Sequence, residues 1–97
     1  MAYKLRWSEE SVRNLDEILE DIRRKWTEIE VNNFKKKFSH QLNLIIQNPL
    51  MFPVSYQHPK LRKAVLSKQT TVFYEVNNET VSLAYIHLNK KDDENLK

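Results

Sequence analysis

LRKAVLSKQTTVFYEVNNETVSLAYIHL, residues 61–88, decides the fold. Three runs rich in Val, Thr, Tyr and Phe (Leu61 to Leu66, Thr70 to Val76 and Glu79 to Leu88) are separated by short polar breaks, and the pair Asn77-Asn78 marks the second turn. That pattern predicts three short strands folded back on one another as an antiparallel meander. Strict alternation along the last run puts Val81, Leu83, Tyr85 and His87 on one face, so His87 either finishes a buried stripe or supplies an imidazole at the end of the sheet. The first strand carries Arg62 and Lys63, a cationic pair expected on the accessible side. If the chain grips a phosphate or does chemistry, these strands are the place to look.

Working outward toward the N-terminus, Tyr3, Leu5 and Trp7 alternate with Lys4 and Arg6, the period of a half-buried strand. Ser8 follows as a helix N-cap, with Glu9 and Glu10 in the first turn, where the helix dipole favours negative charge. Val12, Leu15, Ile18, Leu19, Ile22 and Trp26 recur at steps of three and four and predict an amphipathic helix from Glu9 to Lys25. Thr27-Glu28-Ile29-Glu30 fits a capping box opening a second helix, with Val31, Phe34, Phe38, Leu42, Ile45 and Ile46 on its inner face. Pro49 ends that helix near Gln47-Asn48. Two helices joined so tightly form an antiparallel hairpin. From Asn48 to Lys60 the three prolines Pro49, Pro53 and Pro59 predict an ordered loop, with Leu50, Met51, Phe52 and Val54 plugging one end of the core. The fold class that follows is α+β: an N-terminal strand, an antiparallel two-helix hairpin, and a small antiparallel sheet completed by the C-terminal three-strand meander.

At 97 residues the chain is expected to form one domain, residues 1–97, with one modest core. It contains no cysteine, which excludes disulfides and thiolate zinc sites, and three widely spaced histidines (His40, His58, His87) give no metal signature. It contains no glycine either, where average usage is about 7 per cent, so glycine-dependent phosphate loops and dinucleotide fingerprints drop out and no cofactor is expected. The opening Met1 to Arg6 has no signal-type apolar core and no run reaches membrane-spanning length; a cytoplasmic protein is expected. The net charge of +3 is unevenly spread: Val31 to Tyr74 holds no Asp or Glu but contains Lys35, Lys36, Lys37, Lys60, Arg62, Lys63 and Lys68. Such a basic section either attracts a polyanion or an acidic partner segment, or is simply a solvated face.

The order strand, helix, helix, loop, three strands resembles the RelE/ParE superfamily of toxins from bacterial type II toxin-antitoxin systems. The likeness covers nearly the whole chain. It rests on Leu5-Arg6-Trp7-Ser8-Glu9 followed by Val12, Leu15 and Ile18, on Asn48-Pro49 before Phe52-Pro53, and on the paired strands Leu61-Arg62-Lys63-Ala64-Val65 and Val72-Phe73-Tyr74-Glu75-Val76. The resemblance implies a growth-inhibiting plasmid stabilisation toxin, neutralised by a partner antitoxin whose extended acidic and apolar segment lies against the sheet and helix hairpin. It also implies one of two activities: poisoning of DNA gyrase, as in ParE-like members, or ribosome-dependent mRNA cleavage, as in RelE-like members. Arg62 matches the family's strand arginine. The ending Tyr85-Ile86-His87-Leu88-Asn89-Lys90-Lys91 looks more like a ParE-like subgroup, in which an aromatic stands at the position of His87 and an arginine at that of Lys90.

Three functions therefore compete. The favoured one is a ParE-like toxin acting through a binding surface on gyrase or another essential target. A RelE-like reading needs a metal-independent endoribonuclease, with Arg62 and His87 as candidate catalytic groups and Lys60, Arg62, Lys63, Lys90 and Lys91 holding phosphate or target. In that reading His58 and Lys60, beside Pro59, offer substitute groups. The third is a non-toxic nucleic-acid-binding domain using the acid-free middle section, with strongly salt-dependent binding as its mark.

Overall fold

The computed structural model describes residues 2–89. The elements are β1 (Lys4–Trp7), α1 (Glu9–Lys25), α2 (Glu28–Gln47), a 3₁₀ turn (Pro49–Met51), β2 (Arg62–Val65), β3 (Thr70–Asn77) and β4 (Thr80–Leu88). They form one four-stranded sheet in the order β1-β4-β3-β2. The meander is antiparallel as expected, but β1 joins it in parallel, Lys4 opposite Thr80 through Trp7 opposite Leu83. The sheet is therefore mixed rather than wholly antiparallel. Both helices and strands β2 and β3 lie between β1 and β4 in the chain, so their pairing is not bound to the antiparallel arrangement that a tight hairpin imposes.

Helix α1 starts where Ser8 caps it: Ser8 Oγ accepts the Ser11 amide at 3.0 Å, and Ser11 Oγ donates back to the Ser8 carbonyl at 2.8 Å. Arg23, Arg24 and Lys25 complement the negative end of its dipole. The expected capping box at Thr27 does not form; its side chain makes no cap, and its carbonyl takes the Glu30 and Val31 amides instead. Glu28 is engaged across the helix junction by Arg23 at 2.9 Å. Ile18 of α1 and Phe38 and Ile45 of α2 pack on Ala64, Val72, Tyr74, Val81, Leu83 and Ile86 of the sheet. Val12 and Trp26, at the margins of the α1 stripe, stay exposed.

The loop after α2 departs from expectation. Leu50, Met51 and Val54 do not plug the core; all three are exposed. Pro49 begins a 3₁₀ turn, whose side chains eclipse every third residue, so Pro49 and Phe52 turn inward and the two residues between turn out. Asn78, at φ 53° in the β3–β4 turn, takes the left-handed conformation that a glycine-free chain assigns to asparagine.

The decisive feature is a bulge. Phe73 lies opposite Tyr85 while Tyr74 lies opposite Leu83, so Ala84 has no partner of its own. The extra residue reverses the phase of β4. Before it Val81 and Leu83 point into the core; after it Ile86 does, at 4 % exposure, while His87 is exposed. His87 therefore does not share a face with Val81 and Leu83, and the expected four-residue stripe is broken. Helix α1 holds the bulge: Ser8 Oγ donates to the Ala84 carbonyl at 2.7 Å, and Asn14 Oδ1 accepts the Ile86 amide at 2.9 Å.

Candidate functional site on the open face of the sheet

One face of the sheet is covered by the helices; the other lies open. Alternation puts Lys4 and Arg6 of β1, Lys63 and Val65 of β2, and Thr71, Phe73 and Glu75 of β3 on the open face. The β4 bulge adds Tyr85 and His87 to them. Phe73 and Tyr85 stack across the strands at 4.6 Å between centroids and 19° between planes. Lys63 pairs with Phe73 on its other side, giving a row Lys63–Phe73–Tyr85, and His87 sits opposite Thr71 in the next row. His58 arrives from the loop, its ring edge-on to Tyr85 at 6.4 Å.

Of the expected site residues, Lys63 and His87 both come to this face, in adjacent rows and on either side of β3. Lys60 is exposed in the loop beside His58. Lys90 and Lys91 lie outside the described residues. Arg62 does not stand on the open face. As the neighbour of Lys63 in an extended strand it points the opposite way, with Ala64, and its Nη1 donates to the carbonyls of Phe52 at 2.6 Å and Leu50 at 3.4 Å. Opposite it, Tyr74 is fully buried and donates its hydroxyl to the Pro49 carbonyl at 2.6 Å. Burial pushes the Tyr74 phenol up to about 12, against the opposing pull of the Arg62 guanidinium, so it remains a proton donor at any ordinary pH.

Chemically, the open face offers an aromatic pair able to stack a planar group, an ammonium at Lys63 for an anion, and two imidazoles, His58 and His87, with ring nitrogens able to donate or accept hydrogen bonds. Arg6 lies toward the β1 edge, separated by Ser82 from the face's acid, Glu75. Among the described residues no group of three or more His, Asp or Glu is arranged to hold a metal. The role of Phe73, Tyr85 and His58 escaped the sequence because the tight turn at Asn78-Glu79, with Asn77 opposite Thr80, would by itself pair Phe73 with Ala84; only the bulge slides Tyr85 beneath it. The facing of Arg62, by contrast, was available from alternation with Ala64.

No family model and no curated protein matches the sequence. Solved structures do. A chain of the chromosomal ParDE TA system from P. aeruginosa superposes with a TM-score of 0.77 at 13% identity, covering 90% of this chain and 96% of that one. The fold is that of the RelE/ParE toxins. A chain of the E. coli DinJ-YafQ toxin-antitoxin complex superposes at 0.63 with 11% identity, covering 94% and 97% of the two chains. A free mutant of E. coli toxin RelE superposes at 0.56 with 18% identity, covering 96% and 90%. This chain shares the RelE/ParE fold with these structures at no more than 18% identity.

A groove on the opposite side runs between the helices and the sheet end, lined by Ile22, Trp26, Phe34, Leu66 and Leu88 together with the charged groups Asp21, Glu30 and Lys37. Trp26 is 63% exposed there. Among the described residues no helix is long and apolar enough to cross a membrane.

Proposed function

We propose that the chain is the toxin of a bacterial type II toxin-antitoxin pair, a cytoplasmic, growth-inhibiting protein of the plasmid-stabilisation kind, acting in the ParE-like manner by binding DNA gyrase or another essential target. The observation that carries this reading is the superposition on a ParDE chain over nine-tenths of both chains. The engagement of Arg62 by loop carbonyls on the helix side supports it further, because the guanidinium that a nuclease would turn on a phosphate is occupied elsewhere. The partner is an antitoxin segment with an apolar face for Trp26, Ile22 and Leu66. The test is to induce the chain alone and then together with the neighbouring small reading frame. Growth arrest reversed by co-expression, with loss of gyrase supercoiling in vitro and intact mRNA, is the expected result; codon-dependent mRNA cleavage with gyrase untouched overturns the gyrase reading.

A second reading draws on the open face. His58 and His87 flanking the Phe73–Tyr85 pair, with Lys63 alongside, suit a RelE-like, metal-independent cleavage of ribosome-bound mRNA in which imidazoles move the proton and Lys63 holds the phosphate. Retention of toxicity after His58→Ala and His87→Ala together removes that reading.

A further inference from the structure

The loop from Asn48 to Leu61 is fastened at its root by two side chains of the sheet. Tyr74 Oη holds the Pro49 carbonyl, and Arg62 Nη1 holds those of Leu50 and Phe52, while the Phe52 ring stands edge-on to Tyr74 at 6.4 Å. From there the chain turns along the outer edge of β2. The Lys63 amide donates to the Pro53 carbonyl at 2.9 Å, Val54 bridges to Arg62, and the Ser55 amide donates to the Leu61 carbonyl at 2.8 Å. Ser55 is buried, and its Oγ accepts the His58 amide at 3.3 Å; the His58 carbonyl in turn accepts the Leu61 amide at 2.8 Å. The tip thus delivers His58 to Tyr85. Every link from the Arg62 guanidinium to the His58 ring is a named contact.

The contact at the far end is a single edge-on ring pair between an exposed imidazole and a half-buried phenol. One such contact does not offset the conformational entropy of ordering a dozen loop residues. Backbone bonds to the edge of β2 hold Pro53 to Ser55, and the segment that leads to them is held at the root, where a charged donor meets two carbonyls at once, the stronger kind of hydrogen bond. The Tyr74 bond alone fixes only Pro49, one residue into the loop.

We infer that Arg62 is a positioning residue: it fixes the root of the 49–61 loop so that His58 is held against Tyr85, and its influence on the open face passes through His58. The inference takes its open-face site from the reading above, and only its cellular readout depends on that reading.

The test is ring-to-ring NMR on the full chain with labelled histidine and tyrosine. In Arg62→Gln the His58–Tyr85 cross-peak is lost, whereas the Phe73–Tyr85 cross-peak and the His87 ring signals stay in place; a folded variant that keeps the His58–Tyr85 cross-peak overturns the inference. Where the glutamine variant fails to fold, Arg62→Lys decides, since it retains the charge without the planar fork. The same cross-peak is then weakened, and one of full strength overturns the inference. In cells, Arg62→Gln and His58→Ala are compared singly and together. A double variant no weaker than the weaker single is expected, and additive losses sink the route through His58. A wild-type chain that leaves growth untouched counts against the toxin reading, and the NMR result then decides the positioning role by itself.

Discussion

The two halves of β4 obey different rules. From Thr80 to Leu83 the strand has β1 along one edge and β3 along the other, and its apolar residues alternate inward without interruption. From Tyr85 to Leu88 the β1 partner is gone and the ladder is replaced by two side chains of α1, Ser8 on the Ala84 carbonyl and Asn14 on the Ile86 amide. Between the halves one surplus residue swaps inside for outside. The difference teaches that which residues reach the open face is set by a helix that packs against the strand edge, as much as by the strand's own pattern.

Truncating the neighbours Ile86 and His87 separates the two halves most strongly. With the bulge, Ile86→Ala opens a cavity in the core and is predicted to cost about 2–5 kcal/mol, whereas His87→Ala is predicted to stay within about 0.5 kcal/mol. Urea unfolding of both variants checks this; unbroken alternation from Val81 would reverse the two values.

Tyr74 sits at the register shift, opposite Leu83. Its unfolded phenol titrates near 10 and its folded one near about 12. Between those pH values the unfolded chain has lost a proton that the folded chain keeps, so stability is fully present below pH 10 and falls as pH rises toward 12, by at most about 3 kcal/mol. Tyr74→Phe should remove this alkaline loss and, at neutral pH, cost about 1–2 kcal/mol by leaving the Pro49 carbonyl without its donor. Matched denaturation series of the two proteins from pH 8 to 12 measure both effects; parallel curves would mean that the hydroxyl is not buried.

Next in size is Ser8→Ala, which removes the helix cap and the tether on Ala84 together, for about 1–2 kcal/mol. Asn14→Ala should cost about 1 kcal/mol and speed hydrogen exchange at the Ile86 amide while leaving that of Val81 unchanged. Equal acceleration at both amides would dissolve the distinction between the halves.

Much of the architecture could be read from residue pattern. The Ser8 cap and the three-and-four spacing place α1 at Glu9–Lys25, and Asn77-Asn78 marks the β3–β4 turn to within one residue, the turn itself being Asn78-Glu79, because both signals are local. What escaped was tertiary. No local pattern announces that Ser8 and Asn14 will hold a bulge more than seventy residues away, so strand alternation alone places His87 on the face of Leu83 and does not reveal the Phe73–Tyr85 stack. Pro49 and Phe52 turn in while Leu50 and Met51 turn out because the proline starts a 3₁₀ turn rather than an extended loop. Arg62 and Lys63 are a different case. Adjacent residues of a strand cannot share a face, and Ala64 already indicated which of the two would turn toward the helices.

The phase reversal in β4 is read most directly from the NMR contacts of the Tyr85 ring. A phase-reversed β4 predicts cross-peaks from Tyr85 to the Phe73 ring, and from the Ile86 methyls to the core around Ile18 and Phe38. Cross-peaks from the Tyr85 ring to that core, with Ile86 facing solvent, would contradict it.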